Sequence, residues 1–566
     1  MRRALKIAAA TSALAVAMVP AGAWAASPQA TGNGLSLRAA VSARIGDPSR
    51  LSQGLRLWLN GLPRAAAQHA AGPALSTGSN VDAANVGEDT ASGQSETAIA
   101  AQHGTGGQSL VMAGWNDITG VTYTDSTLLP ASVTGVGLSG NGARSFRDLV
   151  GLPNKNPDQQ WFGDPTVASL GDGHHFVVGS LYYPSLTACA DNLPAQGTVA
   201  VSIATVNTAG TAATFSPPVE VAQPGNVCLV NGPNPPPDIA TLDKDFLSYD
   251  PASRTLAVSF TRFFITGAHS GLGQVEVARA HMPASPTALS AASFGTPITV
   301  WPEEQFCAGT PSSEHTQCGA VNQGSYPTVA PGGDIYVAWE RNINTNLGGS
   351  GDPYVYEHAA RIPAGSNAVA IGGPAHPVVF SAGQPHGSPD HLGVKSLDGT
   401  VIAGYSRGTG QDFPRLAFDA AAHAVVFVWN DASNHPLGDI WLRSASATLT
   451  ALGHIGRVND AADFSLKFLP AVSVRTNGTI CTSWYDRRLG GPTSARTDYF
   501  GECRPSAAVA ATDFRISTGS TDWLSTSSLI NPNFGDYTDN ATNGTTTFFT
   551  WSDGRLGIPQ PFVDHH

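Results

Sequence analysis

The chain has 566 residues and a net charge of −12, and charged residues make up only 13% of it. An acidic chain with no basic cluster is a poor partner for a phosphate backbone, which excludes nucleic-acid binding. With 62 glycines and 40 prolines, the composition is typical of a turn-rich β protein.

The N-terminus has the pattern of a secretory signal peptide. Arg2-Arg3 gives a positive start, residues 7–19 form an apolar run, and Ala23-Trp24-Ala25 has the small-x-small form of a signal-peptidase site. The apolar run is too short to cross a membrane, and no later apolar stretch is long enough. We therefore expect residues 1–25 to be removed and the mature protein to be secreted, extracellular or periplasmic, without a membrane span.

Residues 26–95 form a low-complexity segment rich in Ala, Ser and Gly. Asp47-Pro48 can cap and start one short helix, which Gly61 would end. Two interpretations stay open: the segment packs on the main domain, or it is a pro-segment that covers a site. Residues 96–566 are expected to form the main domain.

Seven copies of a β-hairpin pattern recur through this main domain. The clearest copy pairs residues 469–474 with 479–484 across Asn477-Gly478, a dipeptide that suits the positive φ of hairpin turns. Each copy closes on an aromatic residue, and the tryptophans among them are expected to pack between neighbouring sheets. The closing residues are Trp115, Tyr182, Phe260, Trp339, Trp429, Trp484 and Trp551.

Further strand candidates lie between the hairpins. Residues 198–206 and 219–222, for example, raise the content to about four strands per copy. Four-stranded units in a closed ring leave only short edges, which is the architecture of a β-propeller. The sequence thus predicts an all-β protein with a six- or seven-bladed β-propeller: seven blades by the hairpin count, or six if the weak first copy completes the last blade. A linear β-solenoid is disfavoured because its coils are much shorter than these units.

Six cysteines in an exported chain favour disulfides. Proximity in the sequence suggests Cys481 with Cys503 and Cys307 with Cys318, which leaves Cys189 with Cys228. Six cysteines allow about 15 connectivities, so other pairings stay open. No cysteine or histidine spacing suggests a zinc site, and no metal or cofactor is expected.

One segment resembles a known structural turn. Residues 139–146, Ser-Gly-Asn-Gly-Ala-Arg-Ser-Phe, resemble the Ser-x-Asp-x-Gly-x-Thr-Trp turn called the Asp-box. Together with residues 484–488 and 534–537, they make the chain similar to the secreted sialidase-like (BNR/Asp-box) β-propeller superfamily over nearly all of the main domain. The resemblance implies the propeller fold and a glycan substrate or ligand. The Phe-Arg-Ile-Pro segment of sialidases is absent.

The residues just before each innermost strand are expected to line the mouth of the central channel. Aromatic faces stack on sugar rings, carboxylates supply acid and base, and an arginine pairs with an acidic substituent. The alternative is structural, because strand-leading Asp and Tyr often satisfy loop amides. The expected catalytic residues are Asp164, Asp245, Asp536 and Tyr537, and the expected substrate-binding residues are Trp161, Lys244, Tyr326 and Arg415.

Three functions fit these residues. The first is a sialidase-like glycoside hydrolase acting on a glycan, including one with an acidic sugar, in which Tyr537 is the nucleophile and Asp164 or Asp245 the general acid. The second is a non-catalytic propeller that binds glycans or proteins, which the missing sialidase segment favours. A polysaccharide lyase with Tyr and His as base and acid is weaker. We expect a monomer whose partner is a glycan or polysaccharide.

Overall fold

A computed structural model describes residues 76–77, 80–84, 93–117, 132–154, 158–185, 197–223, 240–264, 272–303, 320–343, 354–381, 394–395, 413–432, 437–460, 465–491, 494–526 and 534–566. The predicted signal peptide and the helix predicted after Pro48 lie outside these residues, as do Cys189, Cys228, Cys307 and Cys318. Within the described ranges, no helix is long and apolar enough to cross a membrane.

Short strands dominate the described chain. Two single-turn 3-10 helices, Pro286–Ala288 and Ala291–Ser293, interrupt one connection. In chain order the strands are β1 (Ser76–Thr77), β2 (Asn80–Asp82), β3 (Gln94–His103), β4 (Ser109–Asp117), β5 (Thr134–Ser139), β6 (Arg147–Asp148), β7 (Gln160–Trp161), β8 (Thr166–Ser169), β9 (His175–Tyr183), β10 (Thr198–Val206), β11 (Ala213–Phe215), β12 (Val219–Ala222), β13 (Ala240–Asp250), β14 (Thr255–Phe264), β15 (Gly273–His281), β16 (Ile298–Trp301), β17 (Ala320–Val329), β18 (Ile335–Ile343), β19 (Tyr354–Ile362), β20 (Val394–Lys395), β21 (Arg415–Asp419), β22 (Ala424–Asp431), β23 (Asp439–Ser446), β24 (Leu452–Arg457), β25 (Lys467–Val474), β26 (Ile480–Asp486), β27 (Arg496–Arg504), β28 (Phe514–Arg515), β29 (Thr521–Asp522), β30 (Asp539–Thr542), β31 (Thr547–Asp553) and β32 (Gln560–His565).

These strands form seven antiparallel sheets, one for each predicted hairpin. The innermost strands of neighbouring sheets contact one another in a complete cycle, which runs β3, β8, β13, β17, β21, β25, β30 and back to β3. Seven sheets in a closed cycle make a seven-bladed β-propeller. The prediction of seven blades is confirmed, and the six-blade alternative is wrong because the first hairpin forms a blade of its own.

The last blade is completed by the N-terminal end of the described chain. Strand β2 pairs with β32, with Val81 opposite Val563, so the ring closes by joining two distant parts of the sequence. Asn80 reinforces the closure: its Nδ2 donates to Asp564 Oδ2 at 2.7 Å, and its Oδ1 accepts from the Thr518 backbone N–H at 2.6 Å. Residues before 96 therefore contribute strands to the ring.

Six of the seven predicted closing aromatics have one shared place in the strand register. Trp115, Trp339, Trp429, Trp484 and Trp551 are almost completely buried, as predicted for side chains packed between blades. In the first blade Ala98 pairs with Gly114, the residue before Trp115. In the second blade Thr166 pairs with Gly179 in the same way, so the place equivalent to Trp115 is occupied by Ser180 and not by Tyr182. Tyr182 instead lies against Trp161, with ring centroids 5.0 Å apart.

The ring has two different ends. At one, which we name the turn end, short turns join the first strand of each blade to the second. These turns are residues 104–108, 170–174, 251–254, 330–334, 420–423, 475–479 and 543–546. At the opposite end, which we name the charged end, the innermost strands begin, and the second strands pass to the third through longer connections such as that from Asp117 to Thr134.

Two predicted local features are present near the turn end. The disulfide between Cys481 and Cys503 joins directly opposed residues of β26 and β27, which confirms that pairing. Residues 139–146 connect β5 to β6 through a turn held by its own side chains: Ser139 Oγ accepts from the Ala143 N–H at 2.9 Å, and Asn141 Oδ1 accepts from the Ser145 N–H at 3.1 Å. Each feature stabilises its own blade locally.

Candidate functional site

The innermost strands share an irregularity at the charged end. In four blades the pairing register shifts at this place, which re-aims the side chains of a strand. A left-handed conformation costs a non-glycine residue about 1–2 kcal/mol, and only one of these blades places glycine there. The fold keeps charged side chains at strained positions, which is common at functional sites. The residues are Glu96, Lys244, Gly324 and Leu469, with φ of 55°, 55°, 65° and 52°, and Asp164 in the second blade has φ of 53°.

Side chains from distant blades meet at the axis. Lys244 Nζ of the third blade pairs with Asp536 Oδ2 of the last, and both side chains are buried. Tyr537 of the last blade donates its hydroxyl to the Pro165 carbonyl of the second at 3.1 Å. Its ring also contacts Phe246 of the third blade, with centroids 4.9 Å apart. The predicted convergence of strand-leading residues is therefore present.

Arg415 lies inside a box of aromatic rings. Its guanidinium carbon is 4.5 Å from the ring centroid of Phe246, 4.8 Å from that of Tyr326 and 5.7 Å from that of Tyr537. Cation–π attraction holds a buried guanidinium in such a box. Burial nevertheless lowers the pKa of Arg415. One of its nitrogens, Nη1, donates to the Pro414 carbonyl at 3.2 Å, whereas Nε has no hydrogen-bond acceptor among the described residues.

Asp164 and Asp245 bring carboxyls of two blades to the same buried region. Both side chains are fully buried, and none of their four oxygens accepts a hydrogen bond from a donor in the described parts of the chain. Burial, followed by the charge of Glu96, raises the pKa of Asp164 well above its usual value. Burial, followed by the charge of Asp243, also raises the pKa of Asp245 well above its usual value. These carboxyls therefore hold protons at pH values where ordinary aspartates are ionised.

The tyrosines at the axis are un-ionised. Burial and the neighbouring Asp164, Glu96 and Asp245 raise the pKa of Tyr537 well above that of free tyrosine, although Arg415 opposes them. Tyr326 donates its hydroxyl to Asp539 Oδ1 at 3.4 Å, and burial raises the pKa of Asp539 to about 7. The site thus combines two neutral phenols, protonated carboxyls and two cations.

One predicted residue lies elsewhere. Trp161 packs on Tyr182 in the core, and its Nε1 donates to the Pro153 carbonyl at 3.2 Å, so it does not join the other predicted site residues. Glu96 and Asp539 were missed. Glu96 leads the innermost strand of the first blade as Asp164 leads that of the second, and both have a positive φ. The rule that selected strand-leading residues would therefore also have selected Glu96.

The chain was compared with known protein families, curated proteins and solved structures. No protein-family model and no curated protein matches the chain. Among solved structures, the chain is similar to the GH93 alpha-L-arabinofuranosidase of Fusarium graminearum, at 9% identity and TM-score 0.40 over 88% of this chain and 98% of that one. It is similar to a Hadza microbial sialidase at 9% identity and TM-score 0.37, over 80% of this chain and 76% of that one. It is similar to a PL25 ulvan lyase at 8% identity and TM-score 0.41, over 81% of this chain and 90% of that one. The propeller that the resemblance to sialidase-like proteins implied is present as the closed ring of seven sheets.

Proposed function

We propose that the protein is a glycan-acting enzyme, a glycoside hydrolase whose reacting groups lie at the axis of the charged end. The observation that carries this proposal is the position of Tyr537 beside Asp164, Asp245 and Arg415, which come from four different blades. Buried carboxyls that accept no hydrogen bond are costly for a fold. They are concentrated at active sites, where shifted pKa values serve proton transfer.

The roles follow from the protonation states. Tyr537 is the nucleophile that bonds to the anomeric carbon, and because it is un-ionised, a neighbouring carboxylate takes its proton during attack. Asp164, whose raised pKa keeps it protonated, gives a proton to the leaving glycosidic oxygen. In this proposal the Nε atom of Arg415, which has no acceptor among the described residues, donates to a substrate oxygen. A tyrosine nucleophile, an exception among glycosidases, suits an anionic sugar, which would repel a carboxylate nucleophile.

The test is a hydrolysis screen with matched variants. The exported protein is assayed on neutral, amino and acidic glycosides and polysaccharides, with both reducing ends and unsaturated products measured. Tyr537→Phe and Asp164→Asn are expected to lower kcat by roughly 10³-fold or more without lowering the melting temperature in proportion. Tyr336→Phe is the control, because this tyrosine also donates to a carbonyl, that of Ala447 at 2.6 Å, but at the turn end. Full activity in both axial variants would place the chemistry elsewhere, and unsaturated products would identify a lyase.

A non-catalytic glycan-binding role is the second candidate, and burial favours it. Asp164, Asp245 and Asp536 are 0% exposed and Tyr537 is 2% exposed, so a sugar reaches them only when side chains such as the Lys244–Asp536 pair separate. A glycan array read for binding, beside the hydrolysis screen, distinguishes the candidates. Binding without turnover of any bound glycan would replace the hydrolase by the binder.

We also infer that the protein is exported. The Cys481–Cys503 disulfide supports an oxidising compartment. N-terminal sequencing of protein recovered from the medium or periplasm is expected to begin at Ala26. Recovery of full-length protein from the cytoplasm alone would contradict export.

A further inference from the structure

Asn116 bridges the two segments that carry Glu96 and Asp164. It follows the closing Trp115 of the first blade and is buried. Its Oδ1 accepts the backbone N–H of Asp164 at 2.6 Å, and its Nδ2 donates to Glu96 Oε2. A backbone N–H can only donate, so the amide oxygen must face Asp164 and the NH₂ group must face Glu96. The orientation of this amide is therefore fixed by its partners.

The carboxyls of Glu96 and Asp164 form a pair. Both side chains are fully buried, and the Asn116 amide joins the two residues through its bonds to the Glu96 carboxyl and the Asp164 backbone. Two ionised carboxylates that share a buried place repel each other, so one of them carries a proton. Other charged groups also face Asp164: Lys244 favours its ionised form, and Asp243 disfavours it. The pair as a whole thus holds one proton.

We propose that Asn116 is a positioning residue that keeps the single proton of the Glu96–Asp164 pair on Asp164. A hydrogen bond donated to a carboxylate stabilises its ionised form. The Asn116 amide makes this bond to Glu96, so Glu96 carries the charge and Asp164 the proton. The Oδ1 atom of the same amide holds the Asp164 backbone at the strained φ of 53° that leads the second blade.

With the proton on Asp164 and the charge on Glu96, the pair supplies an acid and a base together. This step rests on the proposed hydrolase. Asp164 gives its proton to the glycosidic oxygen as the carbon–oxygen bond breaks and the electron pair stays on oxygen. Tyr537 bonds to the anomeric carbon and passes its proton to Glu96, so the pair again holds one proton. Water then attacks the anomeric carbon and gives a proton to Asp164, while Glu96 returns its proton to the departing Tyr537 oxygen. The starting state is restored.

The test follows the titration of Asp164 directly. Carbon-13 NMR of aspartate carboxyls is recorded for the full chain, and the Asp164 signal is assigned by its loss in Asp164→Asn. Asn116→Leu is expected to lower the pKa of Asp164, because Glu96 then protonates more easily and takes over the shared proton. Glu96→Gln is expected to lower it too, because the neighbouring charge is gone. Should Asn116→Leu not fold, Asn116→Ser removes the same bridge with a smaller side chain.

The matched control is Asn430→Leu. Asn430 is buried and follows Trp429 as Asn116 follows Trp115. The residue of its blade that corresponds to Glu96 is Phe413, because Arg415 pairs with Val428 as Ala98 pairs with Gly114. This variant is expected to leave the Asp164 titration unchanged. An unchanged Asp164 titration in both Asn116→Leu and Asn116→Ser would overturn the inference.

Activity separates this inference from the proposed function. On a substrate found by the screen, Asn116→Leu is expected to lower kcat/KM by roughly 10²-fold and to move the alkaline limb of the pH profile to lower pH. A lowered pKa of Asp164 without hydrolysis of any glycan supports the carboxyl pair and refutes the hydrolase. Hydrolysis of a glycan, together with an Asp164 titration that the Asn116 substitutions leave unchanged, supports the hydrolase and refutes the carboxyl pair.

Discussion

Aspartates at the two ends of the same ring are used in opposite ways. At the turn end, Asp419 is 4% exposed, and its Oδ1 accepts the backbone N–H groups of Ala421 and Ala422 at 3.0 and 2.9 Å. At the charged end, Asp164 and Asp245 are buried at least as deeply, yet their oxygens accept nothing from the described residues. Burial alone therefore does not identify a functional carboxyl. The informative feature is burial without a donor.

The two ends also differ in how far apart their partners are in the sequence. The turn at residues 475–479 is closed by bonds within five residues, such as that from the Gly478 N–H to the Arg475 carbonyl at 2.9 Å. The Lys244–Asp536 pair joins residues 292 positions apart. Each turn can thus form before the ring closes, whereas the charged site exists only in the closed ring.

The largest effect is expected from Lys244→Met at the charged end. Removing the cation leaves Asp536 buried without its countercharge, which costs about 3–5 kcal/mol. The variant should melt far below the wild type, and adding Asp536→Asn should recover much of the loss. Arg361→Met is the control, since Arg361 pairs with Asp334 at 2.7 Å but both side chains are about one-quarter exposed. That surface pair is worth about 0–1 kcal/mol. Equal losses of melting temperature in Lys244→Met and Arg361→Met would show that the buried pair at the charged end stabilises the fold no more than a surface pair does.

A smaller effect is expected from the disulfide near the turn end. The bridge between Cys481 and Cys503 closes a loop with a sequence separation of 22, and such bridges contribute about 2–4 kcal/mol. The double variant Cys481→Ala/Cys503→Ala should melt lower than the wild type but retain glycan binding or turnover, because the bridge lies away from the charged end. Thiol labelling of the unreduced, denatured wild type should leave both cysteines unlabelled. Stoichiometric labelling of either would refute the bridge.

The blades could be predicted because their signals are local. The Asn477-Gly478 turn and the alternation around it are contained in one hairpin, and Gly478 has the positive φ of 84° that such a turn requires. Ring closure could not be predicted in the same way. Strand β2 has three residues, too few for a periodic pattern, and its partner Val563 is almost the full chain away. Its pairing is decided by the closed ring.

The candidate site was predicted in part for a related reason. Position in the repeat identified Asp164, Lys244 and Tyr537, because equivalent strand-leading residues meet at the axis. It could not show that Asn116, which belongs to a closing motif, reaches the head of the next blade to bond Asp164. Nor could it separate Trp161 from the site, because that depends on whether the side chain turns toward the axis or toward Tyr182.

The pH dependence of stability provides a third test. Burial raises the pKa of Asp539 from 3.8 to about 7, so the folded state binds a proton that the unfolded state has lost. Stability from this group is complete below pH 3.8 and is lost as the pH rises to about 7. The melting temperature of Asp539→Asn should therefore fall less between these pH values than that of the wild type. Identical slopes would show that Asp539 does not hold the proton.

The smallest effect is expected from a turn aspartate. Asp419→Ala removes two hydrogen bonds within a short turn and should cost about 1 kcal/mol, because each bond contributes little net stability. Asp419→Asn keeps the accepting Oδ1 and should recover most of the loss. Glycan binding or turnover should be unchanged in both variants, whereas Asp164→Asn should lose function at nearly constant melting temperature. If Asp419→Ala impaired function as strongly as Asp164→Asn, a satisfied carboxyl could no longer be distinguished from an unsatisfied one.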